Sequence, residues 1–445
     1  MNSKFSKIGF ILAVVGSAVG LGNSWKFPTL VGQNGGSAFI LLYIILTICV
    51  GFTIFLAELY IGKASEKDPI NAYKTLAPKY KKSWSMVGFT SIGALLIVSF
   101  YSIIIGWIVK YFYLSFSALP KDIQTSKEVF ENLLFNDYIS QILCFTITFL
   151  ISFFIVSKGI INGIEKLNVW IMPTLFLILF GMLCYSASMS GFNDAFKFLF
   201  FPDFSAITTN SVLYALGMAF FSLSIGAGSI ITYSASLSDD TNFVTSTISI
   251  IIINVIIGLM MGLIVFTFIF EFGADPSQQG PGLIFISLTT LFSNLGVLGN
   301  ILAVLFFISL FFAGLTSAVS MIEPFAFYLI NQYGFSRKKS LILIGSVVYI
   351  LGTICILSYI GYTKEYFTFF GKSFFDILDY LASNIIMPLG GLFAAIFVGY
   401  ILNRRDLEEF FYKYMSKKMF KLWYFFLRYV SIIAVIVIMF NLLVG

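Results

Sequence analysis

The chain has 445 residues, of which 59% are hydrophobic, 18% aromatic and only 11% charged, with no histidine and a net charge of +6. A soluble domain carries roughly 25% charged residues, and no soluble fold of this length has interior enough to hide so much apolar surface. The composition excludes a soluble protein and, for want of histidine, Ser-His, Cys-His and two-His zinc chemistry.

Apolar runs of about 20 residues predict transmembrane helices. Eleven follow one another, near 8–30, 36–61, 85–115, 138–157, 168–189, 211–236, 242–271, 297–330, 340–360, 374–401 and 422–443. The first is too long for a signal peptide and is expected to be retained. Between spans 7 and 8, Phe272 to Leu295, with Asp275-Pro276 and Pro281-Gly282, predicts a short re-entrant cap. Arg404 to Lys418 predicts an amphipathic interfacial helix. The chain is expected to form one transmembrane domain over 1–445, with no second domain and no low-complexity tail.

Basic residues alternate sides. Lys4 and Lys7, then Lys63, Lys67, Lys74, Lys79, Lys81 and Lys82, then Lys158 and Lys166, Arg337 to Lys339, and Arg404 to Lys421 fall on one side. The opposite loops offer Lys121 and Lys127, offset by Asp122, Glu128 and Glu131. The bias predicts a cytoplasmic N-terminus and an outside C-terminus in a cell (inner) membrane. The positive charge is this topogenic signal and gives no support to nucleic acid as a partner. Cys49, Cys144, Cys184 and Cys355 all lie in expected spans and imply no disulfide framework.

The apolar pattern is interrupted twice at mid-membrane depth. Span 1 holds Gly16-Ser17-Ala18-Val19-Gly20-Leu21-Gly22-Asn23-Ser24, and span 6 holds Phe221-Ser222-Leu223-Ser224-Ile225-Gly226-Ala227-Gly228-Ser229. An offset of five predicts two inverted repeats, spans 1–5 (about 8–189) and 6–10 (about 211–401), plus one final helix. Paired glycine-broken spans are the best sequence pointer to a secondary transporter's site. Freed carbonyls cost several kcal/mol each in hydrocarbon unless satisfied, as a cation can do. Half-helix N-termini can take a carboxylate. Gly16 and Gly20 also fit a small-residue packing face, but Asn23 in the same span is not explained by packing.

Gly9 through Pro28, GFILAVVGSAVGLGNSWKFP, resembles the first helix of the neurotransmitter:sodium symporter family, which has the LeuT fold. The resemblance extends along nearly the whole chain through Asn34-Gly35-Gly36, Phe221-Ser222-Leu223-Ser224, Ile231-Thr232-Tyr233 and Phe312-Ala313-Gly314-Leu315-Thr316-Ser317. It implies an all-α membrane transporter with spans 1 and 6 unwound. The family's twelfth helix is missing from the expected spans, a shortening familiar among bacterial members.

The resemblance implies two Na+ sites. The first would use the Ala18 carbonyl, the Asn23 and Asn254 amide oxygens, Ser222 and the substrate carboxylate. The second would use the carbonyls of Gly16, Val19 and Ala313 with the hydroxyls of Thr316 and Ser317. For those two hydroxyls, back-bonding within the helix is an equal alternative. The implied substrate, a small-molecule amino acid, would place its carboxylate at Leu21, Gly22 and Tyr101 and its ammonium near Ala18, Phe221 and Ser224. Ile97, Phe221, Ser224, Ala227, Ser317 and Met321 would shape the side-chain pocket, Ser222 serving substrate and cation together. Tyr101 and Phe221 taken alone are more often packing aromatics in a chain that is 18% aromatic. Monoamine carriers of the family place aspartate where this chain has Gly20, so the substrate would bring its own carboxylate. Ala227, smaller than in relatives, implies room for a hydrophobic or aromatic side chain.

Lys26 and Asp379 match the family's outer gate, with lysine in place of the usual arginine, above a lid of Phe221 and Tyr101. Glu58 is expected to hydrogen-bond the unwound part of span 6. Gly163 and Pro173 reproduce a glycine–nine–proline pattern that permits unwinding of span 5 in relatives; a simple proline kink is the alternative. The arginine–aspartate inner gate is missing, with Asn331 at the acid's position. Of the chloride ligands Tyr43, Ser222 and Asn254 remain, but Met218 and Gly258 replace two others, and no acid lies between Asn242 and Thr267. Coupling to chloride or protons is left open, as are a homodimer and a non-transporting sensor of amino acids; membrane lipid is the remaining partner. An intramembrane enzyme is excluded for want of histidine and of clustered aspartates.

Overall fold

A computed structural model describes residues 4–238, 241–274, 276–277 and 282–444. Asp275 and Pro281 of the expected cap lie outside the described residues. Several helices start where a small polar side chain caps them. Asp137 accepts from the Ser140 N–H, Asn242 from Thr245, Ser336 from Lys339 and Ser416 from Met419. Such caps satisfy N–H groups that a helix leaves unpaired, which matters more where little water is at hand.

Among the described residues nine continuous helices are long and apolar enough to cross a membrane: Ser37–Ser65, Lys81–Leu114, Tyr138–Ser157, Ile160–Ser186, Phe243–Glu271, Val297–Tyr333, Arg337–Leu357, Phe374–Ile401 and Lys417–Asn441. A tenth is the bent pair Lys7–Ala18 and Gly22–Gln33, whose halves meet at 54°. The sixth expected span is two short helices, Thr209–Ser222 and Ser229–Ala235, neither long enough alone. The count of eleven therefore holds only if both broken spans are taken whole. Leu283–Ser293 forms a short apolar helix within the expected cap, and Arg404–Phe411, the first part of the expected amphipathic segment, buries Leu407 and Phe411.

Span 3 (Lys81–Leu114) is the most enclosed, 83% of its most apolar window being buried, against 28% for span 5 (Ile160–Ser186) and 33% for the last span. Span 3 packs against spans 4, 8 and 9, so it carries Tyr101 into the interior. The first half of span 1 packs on spans 5, 7 and 8, and the second half of span 6 on span 2. The two broken spans are thus enclosed by continuous ones. Span 5 opens with a π turn, Ile160–Glu165, around Gly163, where a side chain would overlap the Ile155 carbonyl. Pro173 lies inside the helix that follows.

Candidate substrate and cation sites at the broken helices

Span 1 stops at Ala18 because Val19 adopts φ −81°, ψ 80°, outside the helical region, and the chain restarts as a π turn at Gly22. Span 6 stops at Ser222. Ser224 has φ +53°, and Gly226 and Gly228 have φ +83° and +77°, conformations that suit glycine. The two breaks face each other, since Ser224 Oγ donates to the Ser17 carbonyl at 2.8 Å. Glu58, from span 2, accepts from the Gly226 N–H at 2.8 Å, as the sequence led us to expect.

Spans 1, 3 and 8 converge at Gly20, and span 6 meets span 1 at Gly22. A methyl group there would lie 2.6 Å from both Ser317 Oγ and Tyr101 Oη. Leu21 N–H donates to Tyr101 Oη at 2.8 Å, and a methyl on Gly22 would lie 2.7 Å from the Phe221 ring. Leu21, Gly22, Tyr101 and Phe221 form the floor of a vestibule of about 520 Å³, whose aromatic walls include Phe100, Trp107, Tyr359 and Phe375. Ile97, Ser224, Ala227, Ser317 and Met321 are buried and do not line it. Lys26 and Asp379 are both on its wall, yet among the described residues they form no ion pair. Lys26 Nζ lies over the Phe221 ring, and Asp379 accepts from Ser383 Oγ.

Beside the floor, Asn23 Nδ2 donates to Asn254 Oδ1 at 2.7 Å and to its carbonyl at 3.2 Å. Asn254 Nδ2 donates to Tyr43 Oη at 3.3 Å, and Tyr43 Oη and Ser222 Oγ are 3.0 Å apart. The chain of bonds leaves Asn23 Oδ1 buried and without a donor. An unsatisfied buried amide oxygen costs about 1–3 kcal/mol, and a hard monovalent cation is a partner that fits it. Among the described residues no cluster of three or more acids or cysteines could hold a metal ion, so the available donors are neutral oxygens.

Of the second expected site, Gly16 and Ser317 also meet, and Ala313 and Thr316 are joined within span 8. Ser317 Oγ donates to the carbonyls of Gly16 and Ser17, at 3.1 and 3.2 Å, and Thr316 Oγ1 to those of Ala313 and Phe312, both at 3.1 Å. The Thr316 bonds are the back-bonds that a helical threonine makes anyway; those of Ser317 cross from span 8 to span 1 and are specific to this packing.

Some of the architecture escaped the sequence reading. Ser17 and Ser320 hydroxyls lie 2.8 Å apart, and Ser229 Oγ donates to the Ser320 carbonyl at 3.0 Å, so span 8 staples both broken spans. On the N-terminal side, Phe5 pairs its backbone with the end of span 6, its N–H donating to Ser236 O at 2.9 Å, and packs on Tyr233. The Ser6 N–H and hydroxyl both donate to Glu165 Oε1, at 3.1 and 2.5 Å. Lys4 pairs with Glu66 at 3.6 Å, Asn331 donates to Asp68, and buried Glu323 is paired with Arg337. This side is sealed without the arginine–aspartate pair. The signals were present, in the polar Ser17, Ser229 and Ser320 within apolar spans and in Glu165 beside Gly163. Their partners are distant in sequence, however, and nothing local names them.

The chain matches the description "Sodium:neurotransmitter symporter family" over residues 2–132 and 131–444. It is 34% identical to the sodium-dependent transporter YhdH of Bacillus subtilis over 444 residues, covering 98% of this chain and 97% of that one. It is 26% identical to the sodium- and chloride-dependent taurine transporter of the dog, covering 88% of this chain and 70% of the relative. Among solved structures, that of MhsT in complex with L-phenylalanine superposes with a TM-score of 0.88 at 33% identity, covering 99% of each chain. That likeness makes the fold a LeuT fold. The chain belongs to the sodium:neurotransmitter symporter family and is a sodium-dependent membrane symporter, not an enzyme.

Proposed function

We propose that the chain carries a hydrophobic or aromatic L-amino acid together with sodium by alternating access, inward across the cell (inner) membrane. Asn23 Oδ1, buried beside the vestibule floor with no donor, is the observation that carries this reading. A floor built of Leu21, Gly22 and Tyr101 suits a carboxylate, because a helix restart offers N–H groups and the phenol a hydroxyl. Gly20 brings no acid of its own, which favours a zwitterion over an amine. The binding of L-phenylalanine by MhsT supports an aromatic side chain. In this reading Ala18, Asn23, Ser222 and Asn254 hold one cation, and Gly16, Val19, Ala313, Thr316 and Ser317 a second. The vestibule faces outward, by the lysine and arginine bias, and the N-terminal seal faces the cytoplasm. The first cation and the substrate favour the closed state because each contacts both broken spans, the second cation ties span 1 to span 8, and one bundle then rocks against the other.

Uptake of a panel of radiolabelled L-amino acids into proteoliposomes tests it, with an inward sodium gradient, then potassium in its place, then gluconate for chloride. Sodium-driven accumulation of apolar or aromatic amino acids, lost in Asn23→Ala and Thr316→Ala, is the expected result. Saturable binding without accumulation would make the chain a sensor. Accumulation that follows a pH gradient and ignores sodium would overturn the cation assignment.

A further inference from the structure

Asn168, on span 5, is completely buried. Its Nδ2 donates to the Ile164 carbonyl at 2.8 Å, inside the π turn Ile160–Glu165 that opens the span. That bond orients the amide, since the reverse assignment would set two carbonyl oxygens against each other. Oδ1 is left without a donor, and its position is marked by Gly16. A methyl group on Gly16 would overlap Asn168 Oδ1 and would lie 3.1 Å from Thr316 Cβ. Asn168 Oδ1, Gly16 and Thr316 are thus mutual neighbours, contributed by spans 5, 1 and 8. The Gly16 carbonyl is in turn the acceptor of Ser317 Oγ.

We propose that Asn168 Oδ1 is a further ligand of the second cation site, added from span 5 to the oxygens of spans 1 and 8. The inference rests on the cation reading above and deepens it. A neutral amide oxygen keeps the site uncharged, in character with its other donors. It also gives the site a mechanical link that carbonyls of spans 1 and 8 lack. The same amide grips the π turn through its other end, and one turn earlier Glu165 holds Ser6 of the N-terminal seal. Turning Asn168 away from the site releases the Ile164 carbonyl and loosens the stretch that begins span 5. Cation occupancy and the closure of the N-terminal side are therefore linked through one short segment.

The competing reading is packing, with Oδ1 resting against the Gly16 Cα–H. Binding of radioactive sodium to purified protein, without amino acid, separates the two, together with hydrogen exchange of residues 158–173 in sodium and in potassium. Asn168→Ala is expected to weaken sodium binding about ten-fold, the size of effect that tuning contacts at metal sites have. Asn168→Asp keeps an oxygen at the site but sets a second one against the Ile164 carbonyl, so it should bind sodium better than Asn168→Ala without restoring protection of residues 158–173. Sodium should slow exchange over 158–173 in the parent and not in Asn168→Ala. Thr316→Ala serves as the control on the site, and melting in potassium shows whether each variant folds. If Thr316→Ala loses sodium and Asn168→Ala binds as the parent does, Asn168 is packing only and the inference falls while the site stands. If neither variant changes sodium binding, the second site itself has been misread.

Discussion

The Lys26 ammonium lies 4.4 Å from the centroid of the Phe221 ring, while Asp379, on the wall of the same vestibule, accepts from Ser383 Oγ at 2.7 Å. The two charges that the family resemblance pairs are each engaged locally. Lys26 is only partly exposed, and a cation over an aromatic face is worth about 0.5–2 kcal/mol in such a place.

Lys26→Ala should raise the half-saturating substrate concentration about two- to thirty-fold, the factor that the cation–aromatic energy corresponds to. Lys26→Arg should hold the closed state longer through its bidentate fork, lowering turnover with tighter binding. Initial rates of uptake against substrate concentration measure both. Unchanged constants in the two variants would remove Lys26 from the gate.

Gly20→Asp should abolish amino-acid uptake. Any side chain at this position begins 2.6 Å from Tyr101 Oη and Ser317 Oγ, and a carboxylate there repels the one on the substrate. Competition binding should show weakened amino acids and less affected amines that lack a carboxylate. Equal weakening of both classes would mean that the substitution acts by bulk alone.

Glu58→Ala should cost about 1–3 kcal/mol of stability, because it orphans the buried Gly226 N–H. Gly226 has φ +83°, and a methyl there would overlap the Met387 carbonyl, so the backbone cannot turn to find another partner. Glu58→Gln keeps an acceptor and should recover most of the loss. Thermal melting in detergent reads the difference, and a melt unaltered by either variant would show that the N–H finds water instead.

Glu165→Ala should loosen the N-terminal seal. It removes the acceptor of two Ser6 donors, and hydrogen bonds to a charged group are worth about 1.5–3 kcal/mol each. Hydrogen exchange over residues 4–18 should quicken several-fold or more, while exchange at the vestibule floor stays as it was. An even change on both sides would point to general destabilisation.

Most of the helices were legible because apolar run length is a local property. Tyr138–Ser157 and Phe374–Ile401 begin and end where the apolar runs do. Span 5 was less so. The apolar run suggests 168, yet the helix begins at Ile160, because the polar Glu165 and Asn168 are buried in the packing and not turned to water. The tertiary partners override the hydropathy signal there.

The two breaks, at Gly20 and at Ser224 to Gly228, follow from sequence alone, since glycine and small polar residues at mid-membrane depth have few other physical explanations. The candidate ligands Asn23, Asn254, Thr316 and Ser317 followed from resemblance at those same places. Which oxygens lack a donor could not follow. Asn23 and Asn168 each carry an ordinary amide, and only the packing of distant spans uses the nitrogen of each and leaves its oxygen bare. The position of Lys26 over Phe221, and the seal that Ser6 makes with Glu165, are of the same kind. Hydropathy and glycine act through a residue's own backbone and solvent, so sequence determines them. Satisfying a buried polar group depends on what the rest of the chain brings within 3 Å of it, and only the tertiary structure decides that.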